Sequence, residues 1–320
     1  MLAAELGPRR PAHLDPAPLA AASIGQAHAG VLDDGVEVVV KVRRPGVAEL
    51  VEVDLALFED AAEAIARRSA GAARYDVVGL ARQFSATLQA ELDYVAEAAN
   101  ARRFAANFAG DPAVHVPAVF DELSTARVLT LERVRGLKVD DLDGLAAAGI
   151  DRSDLARRAA RVTLQMVFRD RLFHADPHPG NFFVEPDGRL GLIDYGMVGT
   201  VDEVTRARLL AVLAAVAAGN GDALVEGLLS LGFAGPDVGK TELRNDLAEL
   251  FRAQLDRPLG EVAIGPLLGG LFAVVRRHHL VLPPNLALLL KTIVMCEGLG
   301  ARLDPSFRLL DAVTSFGQAS

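Results

Sequence analysis

The chain has 320 residues, 51% of them apolar, with 33 basic and 42 acidic side chains and a net charge of −9. That is enough apolar material for one large domain or two lobes, and the acidic balance argues against nucleic acid as a partner. A single cysteine, Cys296, excludes an internal disulfide framework and suits a reducing, cytoplasmic compartment.

Residues 1–10, MLAAELGPRR, put arginines after a short apolar run, the reverse of a secretory signal. Residues 18–30, PLAAASIGQAHAG, hold glycine only at Gly25 and Gly30. Next, VEVVVKV at 36–42 is β-branched and flanked by Asp-Asp-Gly and Arg-Pro-Gly, which predicts a strand. Lys41 falls on the face opposite Val38, Val40 and Val42. Residues 76–107 have the composition and spacing of one long helix. Its segment ELDYVAEAAN carries Glu91, Asp93 and Glu97. Asp93 and Glu97 are four apart and share a face, where like charges repel unless a cation or metal lies between them. Lys41 is the candidate cation, and a Lys41–Glu97 pair matches the strand-lysine to helix-glutamate pair of a kinase lobe. A solvated acidic face is the alternative. Such a pair in an open cleft is expected to add only ~0–1 kcal/mol of stability. VHVPAVFDEL (114–123) and ARVLTLERV (126–134) are further strand candidates, Pro117 confining the first to an edge or early position.

After residue 135 the pattern is almost wholly helical, apart from two short strands flanking Asp187-Gly188. A small mixed lobe, 1–134, and a larger helical lobe, 135–320, are expected, with a cleft between them. The longest apolar run, Val262–Val275, contains Pro266 and spans 14 residues, short of the ~20 of a membrane-crossing helix. It is expected to be a buried core helix.

HADPHPGNFFV, 174–184, followed by GLIDYG, 191–196, carries the chemistry. Pro177 and Pro179 stop a helix and stiffen the loop. Asp176 and Asn181 stand five apart, and the hairpin FFVEP–DG–RLGLID returns Asp194 beside Asn181. Hard oxygen donors converging at one edge suit Mg²⁺ in phosphoryl transfer. Asp-x-x-x-x-Asn followed by Asp-aromatic-Gly is the spacing of a kinase catalytic loop and metal motif. A zinc site on His174, Asp176 and His178 is disfavoured, because the prolines break the strand it needs.

LAAASIGQ, VVVKVRRPGV, ELDYVAEAAN, HADPHPGN and IDYG, in that order, together resemble the UbiB (AarF, ADCK) family of atypical protein-kinase-like proteins. The likeness runs from about Asp15 to Asp194 and into LLLKTIVMCEGLGARLDPSF. It implies an α+β, protein-kinase-like bilobal fold that binds ATP and Mg²⁺. It implies a nucleotide site of Ala20, Ala21, Ala22, Ser23, Gly25, Gln26, Val39, Lys41 and Glu132. Lys41, Glu97 and Asp176 would be catalytic, Asn181 and Asp194 metal ligands, and Glu91 and Asp93 the acidic E-x-D motif. Family members are tied to isoprenoid-quinone biosynthesis and membrane lipid homeostasis, so a lipid or quinone-pathway molecule and peripheral membrane contact are the implied partners. ATPase activity is the better supported activity.

Two departures accompany the resemblance. The family's K-x-G-Q motif is not found, which reads either as truncation or as a reduced member with a more open cleft. Val39 stands where V-A-I-K has alanine and is expected to narrow the adenine pocket. No Ala-Pro-Glu follows Gly196, so a small molecule, a lipid or water is expected to accept the phosphoryl group in place of a protein. An aminoglycoside- or choline-kinase-like phosphotransferase and a non-catalytic nucleotide-binding scaffold are the competing readings. The alanine-rich loop and ELDYVAEAAN argue against the former.

Overall fold

Val38 and Val40, both fully buried, alternate with Val39 and Lys41 along the strand Glu37–Arg43. Burying one side of that strand organises the N-terminal part of the chain. The computed structural model describes residues 2–7, 9–68, 77–232, 240–255, 264–278, 280 and 282–319. They group into two units, Met1–Lys138 with Asn181–Met197, and Val139–Gly180 with Val198–Ser320. This division differs from the expected 1–134 and 135–320: the Asp-Tyr-Gly hairpin packs with the first unit.

In the first unit an antiparallel sheet runs His13–Ala21, Gly25–Val31, Glu37–Arg43, Val128–Glu132. Asp34 accepts from the Val36 N–H at the second turn, where Gly35 has φ +87°. Val38, Val40 and Val128 pack with Leu6 beneath it. A second sheet, ordered Val114–His115, Leu190–Leu192, Phe182–Val184, Leu137–Lys138, holds the predicted hairpin. Phe182 pairs with Leu192 and Val184 with Leu190.

Several expectations are corrected here. The alanine-rich segment is a hairpin rather than a loop: Ala20 and Ala21 end one strand, Ala22 and Ser23 turn, and Gly25 and Gln26 begin the next. The long helix breaks at Asp93 into Val77–Leu92 and Tyr94–Phe108, and residue 76 lies outside the described residues. The 114–123 strand shortens to Val114–His115 at a sheet edge, then passes through a 3₁₀ turn at Asp121–Leu123. Short strands also occur after 135, at Leu137–Lys138, Leu172–His174 and Val198–Thr200.

In the second unit Asp151 caps the helix Arg152–Gln165 by accepting from the Ser153 and Asp154 N–H groups. That helix buries Leu155, Ala159 and Val162 and packs against Pro284–Leu303, which buries Leu289, Cys296 and Leu299. Burial raises the Cys296 thiol to about 11, so it is a packing residue. A π-helical turn, Met166–Asp170, extends the first of these helices, and Arg171 at φ +56° ends it. Helix Ile264–Arg277 covers most of the long apolar run, whose first two residues lie outside the described ones. Among the described residues no helix is long and apolar enough to cross a membrane.

Candidate functional site

Lys41 lies on an interior strand, register-paired with Ala27 on one side and Leu129 on the other. Its Nζ is 2.5 Å from Glu97 Oε1 and 3.5 Å from Asp194 Oδ1. The Lys41–Glu97 pair is therefore formed, but it is not a surface pair, because the Glu97 side chain is only 4% exposed. Burial alone would lower the Lys41 ammonium. The Glu97 and Asp194 charges outweigh it and hold Lys41 above the ordinary lysine range. Burial pushes Glu97 up, opposed by Lys41.

One helix face carries the rest. On Tyr94–Phe108, Glu97, Asn100 and Phe104 stand at i, i+3 and i+7 and all meet the Asp-Tyr-Gly turn. Glu97 Oε1 accepts from the Tyr195 N–H at 3.3 Å, Asn100 Nδ2 donates to the Tyr195 carbonyl at 3.1 Å, and the Phe104 and Tyr195 rings lie 5.0 Å apart. Tyr195 is fully buried and donates to the Leu192 carbonyl. The turn sets Asp194 at φ +66°, a left-handed conformation rare outside glycine. Its side chain is about half exposed, at 48%. Asn181 sits at the start of the same hairpin, its carbonyl accepting from the Ile193 N–H. The hairpin pairing thus brings the backbones of Asn181 and Ile193, the residue before Asp194, together.

Asp93 does not share the Glu97 face with a cation between them, as the spacing suggested. Its carboxylate caps the helix, accepting from the Ala96 N–H at 2.9 Å. Glu91 is exposed at the end of the preceding helix. Gly25 is dictated by packing: an added Cβ would lie 2.8 Å from both Tyr94 Oη and the Val42 carbonyl. Gln26 meets His28, and Val39 shares the Lys41 side of its strand. The Glu132 carboxylate is engaged by the Ala118 N–H and lies 3.3 Å from His115 Nε2. His115 in turn meets buried Glu185, a network not anticipated from the sequence.

In the second unit, Lys291 donates to Asp176 Oδ1 at 3.0 Å. Its neighbour Thr292 donates to the His174 carbonyl, and the Asp176 N–H donates to His174 Nδ1. His178 Nδ1 accepts from the Gly180 N–H. These histidines shape turns, and among the described residues no group of three His, Cys, Asp or Glu side chains could hold a metal. Sequence reasoning missed Lys291, although a lysine inside LLLKTIV is the signal that could have found it.

Residues 10–228 match the ABC1 atypical kinase-like domain, and residues 247–308 the UbiB helical domain. The chain is 37% identical to a probable protein kinase UbiB of Aeromonas salmonicida, over 92% of this chain and 55% of that protein. It is 35% identical to the chloroplastic ACTIVITY OF BC1 COMPLEX KINASE 7 of Arabidopsis thaliana, over 94% of this chain and 43% of that protein. It thus spans about half the length of such curated relatives. Its fold resembles that of Mycobacterium tuberculosis Rv3197, solved with erythromycin, at a TM-score of 0.69 and 27% identity, over 92% of this chain and 75% of that one.

Proposed function

This chain belongs to the ABC1 atypical kinase-like family, and on that premise we propose that it binds Mg²⁺ and ATP and either hydrolyses the nucleotide or passes its γ-phosphoryl group to a small molecule or lipid. The observation that carries the reading is the placement of Lys41 between Glu97 and Asp194. One ammonium against two carboxylates leaves a negative excess, and the half-exposed Asp194 is the group able to turn to a cation. Asn181 and Asp194 fit Mg²⁺, which takes hard oxygen from one or two carboxylates and completes its shell with water and phosphate. When bound, Mg²⁺ supplies charge that offsets the phosphate oxygens.

The chain's own residues do the rest. Lys41 holds phosphate oxygens, Glu97 keeps Lys41 aimed, and the 20–26 hairpin supplies backbone toward the nucleotide. Asp176 orients a hydroxyl nucleophile and accepts its proton. Lys291, which donates to its carboxylate, keeps Asp176 oriented. Helix Glu203–Ala217 begins soon after Gly196 with no Ala-Pro-Glu between, which supports a non-protein acceptor. We propose a role in isoprenoid-quinone biosynthesis or membrane lipid homeostasis, from a cytoplasmic position with peripheral membrane contact; the UbiB relatives support the quinone link.

The test is nucleotide binding and phosphate release by the purified chain, with Mg²⁺ or EDTA, with and without anionic liposomes. Asp194→Asn is expected to weaken Mg²⁺-dependent binding, and Asp176→Asn to abolish turnover while nucleotide stays bound. Affinity indifferent to Mg²⁺ in both wild type and Asp194→Asn would refute the metal assignment. Bound nucleotide with no turnover or transfer under any condition would establish the scaffold reading instead.

A further inference from the structure

The helix Val47–Arg68 in the first unit is apolar toward solvent as well as toward the protein. It packs against Val77–Leu92 and buries Leu55 and Ala62. Yet Leu50, Val53, Leu57, Phe58 and Ile65 are between 47% and 62% exposed. Leu50, Val53 and Leu57 stand at i, i+3 and i+7, with Phe58 and Ile65 at i+8 and i+15, so the five share one helix face. Phe84 of the neighbouring helix, also exposed, widens that face: its ring meets Phe58 edge-on, with centroids 5.5 Å apart. From Leu50 to Ile65 the stripe is about 22 Å long. Half of the large exposed apolar side chains among the described residues are these six. Scattered singly they would need no explanation, but gathered into a stripe they mark an interaction site.

Charges on the stripe constrain what covers it. The helix carries six carboxylates and two arginines. Asp54 stands at i+4 from Leu50 and i−4 from Phe58, inside the stripe, and Glu49 and Asp60 stand at i−4 and i+7 from Val53, along its margin. All three are exposed, and among the described residues they form no ion pair. The nearby cations are engaged elsewhere or distant. Arg67 and Arg82 both meet Glu63, at 3.3 and 3.2 Å, and Arg68 closes the helix well beyond Asp54.

An occupant that covers the stripe takes Asp54 out of water, and a carboxylate buried without a countercharge is costly. The occupant must therefore bring cations as well as apolar side chains. An anionic bilayer brings the wrong charge, and a second copy of this helix brings the same carboxylates. A partner helix with apolar residues on one face and lysine or arginine beside them meets both requirements.

We propose that the outer face of Val47–Arg68, with Phe84, docks a basic amphipathic helix of another protein. The proposal does not rest on the nucleotide reading, and its test uses the full chain without nucleotide or Mg²⁺. The probe is a fluorescein-labelled helical peptide of three Leu-Lys-Lys-Leu-Lys-Lys-Lys heptads, titrated by fluorescence anisotropy. One control has glutamate for every lysine, and a second scrambles the order so that charge is kept and the stripe is lost. The probe is expected to bind at least about tenfold more tightly than either control. Leu50→Ser with Leu57→Ser is expected to weaken it at least about tenfold, and Asp54→Asn with Asp60→Asn to do the same with every apolar residue in place. All four side chains are exposed, and circular dichroism checks that each variant is folded. Equal binding of the scrambled peptide, or unchanged affinity in either folded variant, overturns the proposal. So does binding to phosphatidylglycerol or phosphatidylcholine vesicles that Leu50→Ser with Leu57→Ser abolishes, which makes the face a membrane contact. Self-association in sedimentation that the same variant abolishes overturns it too, in favour of a second copy.

Discussion

Removing the Lys41 charge should cost this protein far more than a surface ion pair could. In Lys41→Ala the Glu97 carboxylate, 4% exposed, loses its nearest countercharge and keeps only the Tyr195 N–H at 3.3 Å. At an effective dielectric constant of about 20, unit charges about 4 Å apart interact by about 4 kcal/mol. Stripping one partner from a buried pair typically costs about 3–5 kcal/mol. The loss must depend on pH in a defined direction. Burial already raises Glu97 above its ordinary 4.5, opposed by Lys41, and the substitution raises it further. A carboxyl raised on folding contributes stability that is complete below 4.5 and is lost as pH climbs through its folded value. Lys41, raised by its partners, keeps its own contribution up to 10.5 in the wild type. The deficit of Lys41→Ala should therefore be small near about pH 5 and approach the full value near about pH 8. Urea unfolding followed by circular dichroism measures it, since the chain has no tryptophan to report fluorescence. Lys41→Ala combined with Glu97→Gln should recover much of the loss at high pH. An equal deficit at both pH values, with no recovery in the double variant, would refute the buried-pair reasoning.

Gly25→Ala should destabilise by roughly 1–3 kcal/mol through overpacking, because its Cβ would meet Tyr94 Oη and the Val42 carbonyl at 2.8 Å; Tyr94→Phe should relieve part of this in chemical denaturation. Asp93→Ala should cost about 0.5–2 kcal/mol as a lost helix cap and leave nucleotide affinity unchanged, whereas a large drop in affinity would return Asp93 to the site. Lys291→Gln should lower turnover about 10- to 100-fold with nucleotide affinity unchanged, and rescue by Lys291→Arg would separate charge from mere packing.

The parts of the candidate site that are legible in the sequence are those with local grammar. Lys41 is marked by the valines alternating around it, and Asn181 and Asp194 by a hairpin whose turn residues fix its register. Glu97 was found by its fit to Lys41, but its burial was not, because exposure is decided by packing that no local pattern records. Asp93 was misread for a related reason. Helical spacing runs straight through ELDYVAEAAN, and only the cap geometry shows that the helix restarts there. Lys291 meets Asp176 across a sequence separation of 115 residues, beyond the reach of periodicity. Short strands such as Leu172–His174 and Val198–Thr200 form only because distant partners complete them.

Lys41 also stands on a strand bonded along both edges, so its backbone cannot withdraw without breaking the sheet that holds it. Its carboxylate partners are mounted differently, Glu97 on a separate helix and Asp194 on a turn with a left-handed residue. In machine terms the lysine is bolted to the frame, and its partners are carried on separate mounts. The three contacts of Glu97, Asn100 and Phe104 tie that helix and that turn to each other, so a displacement of one is transmitted to the other.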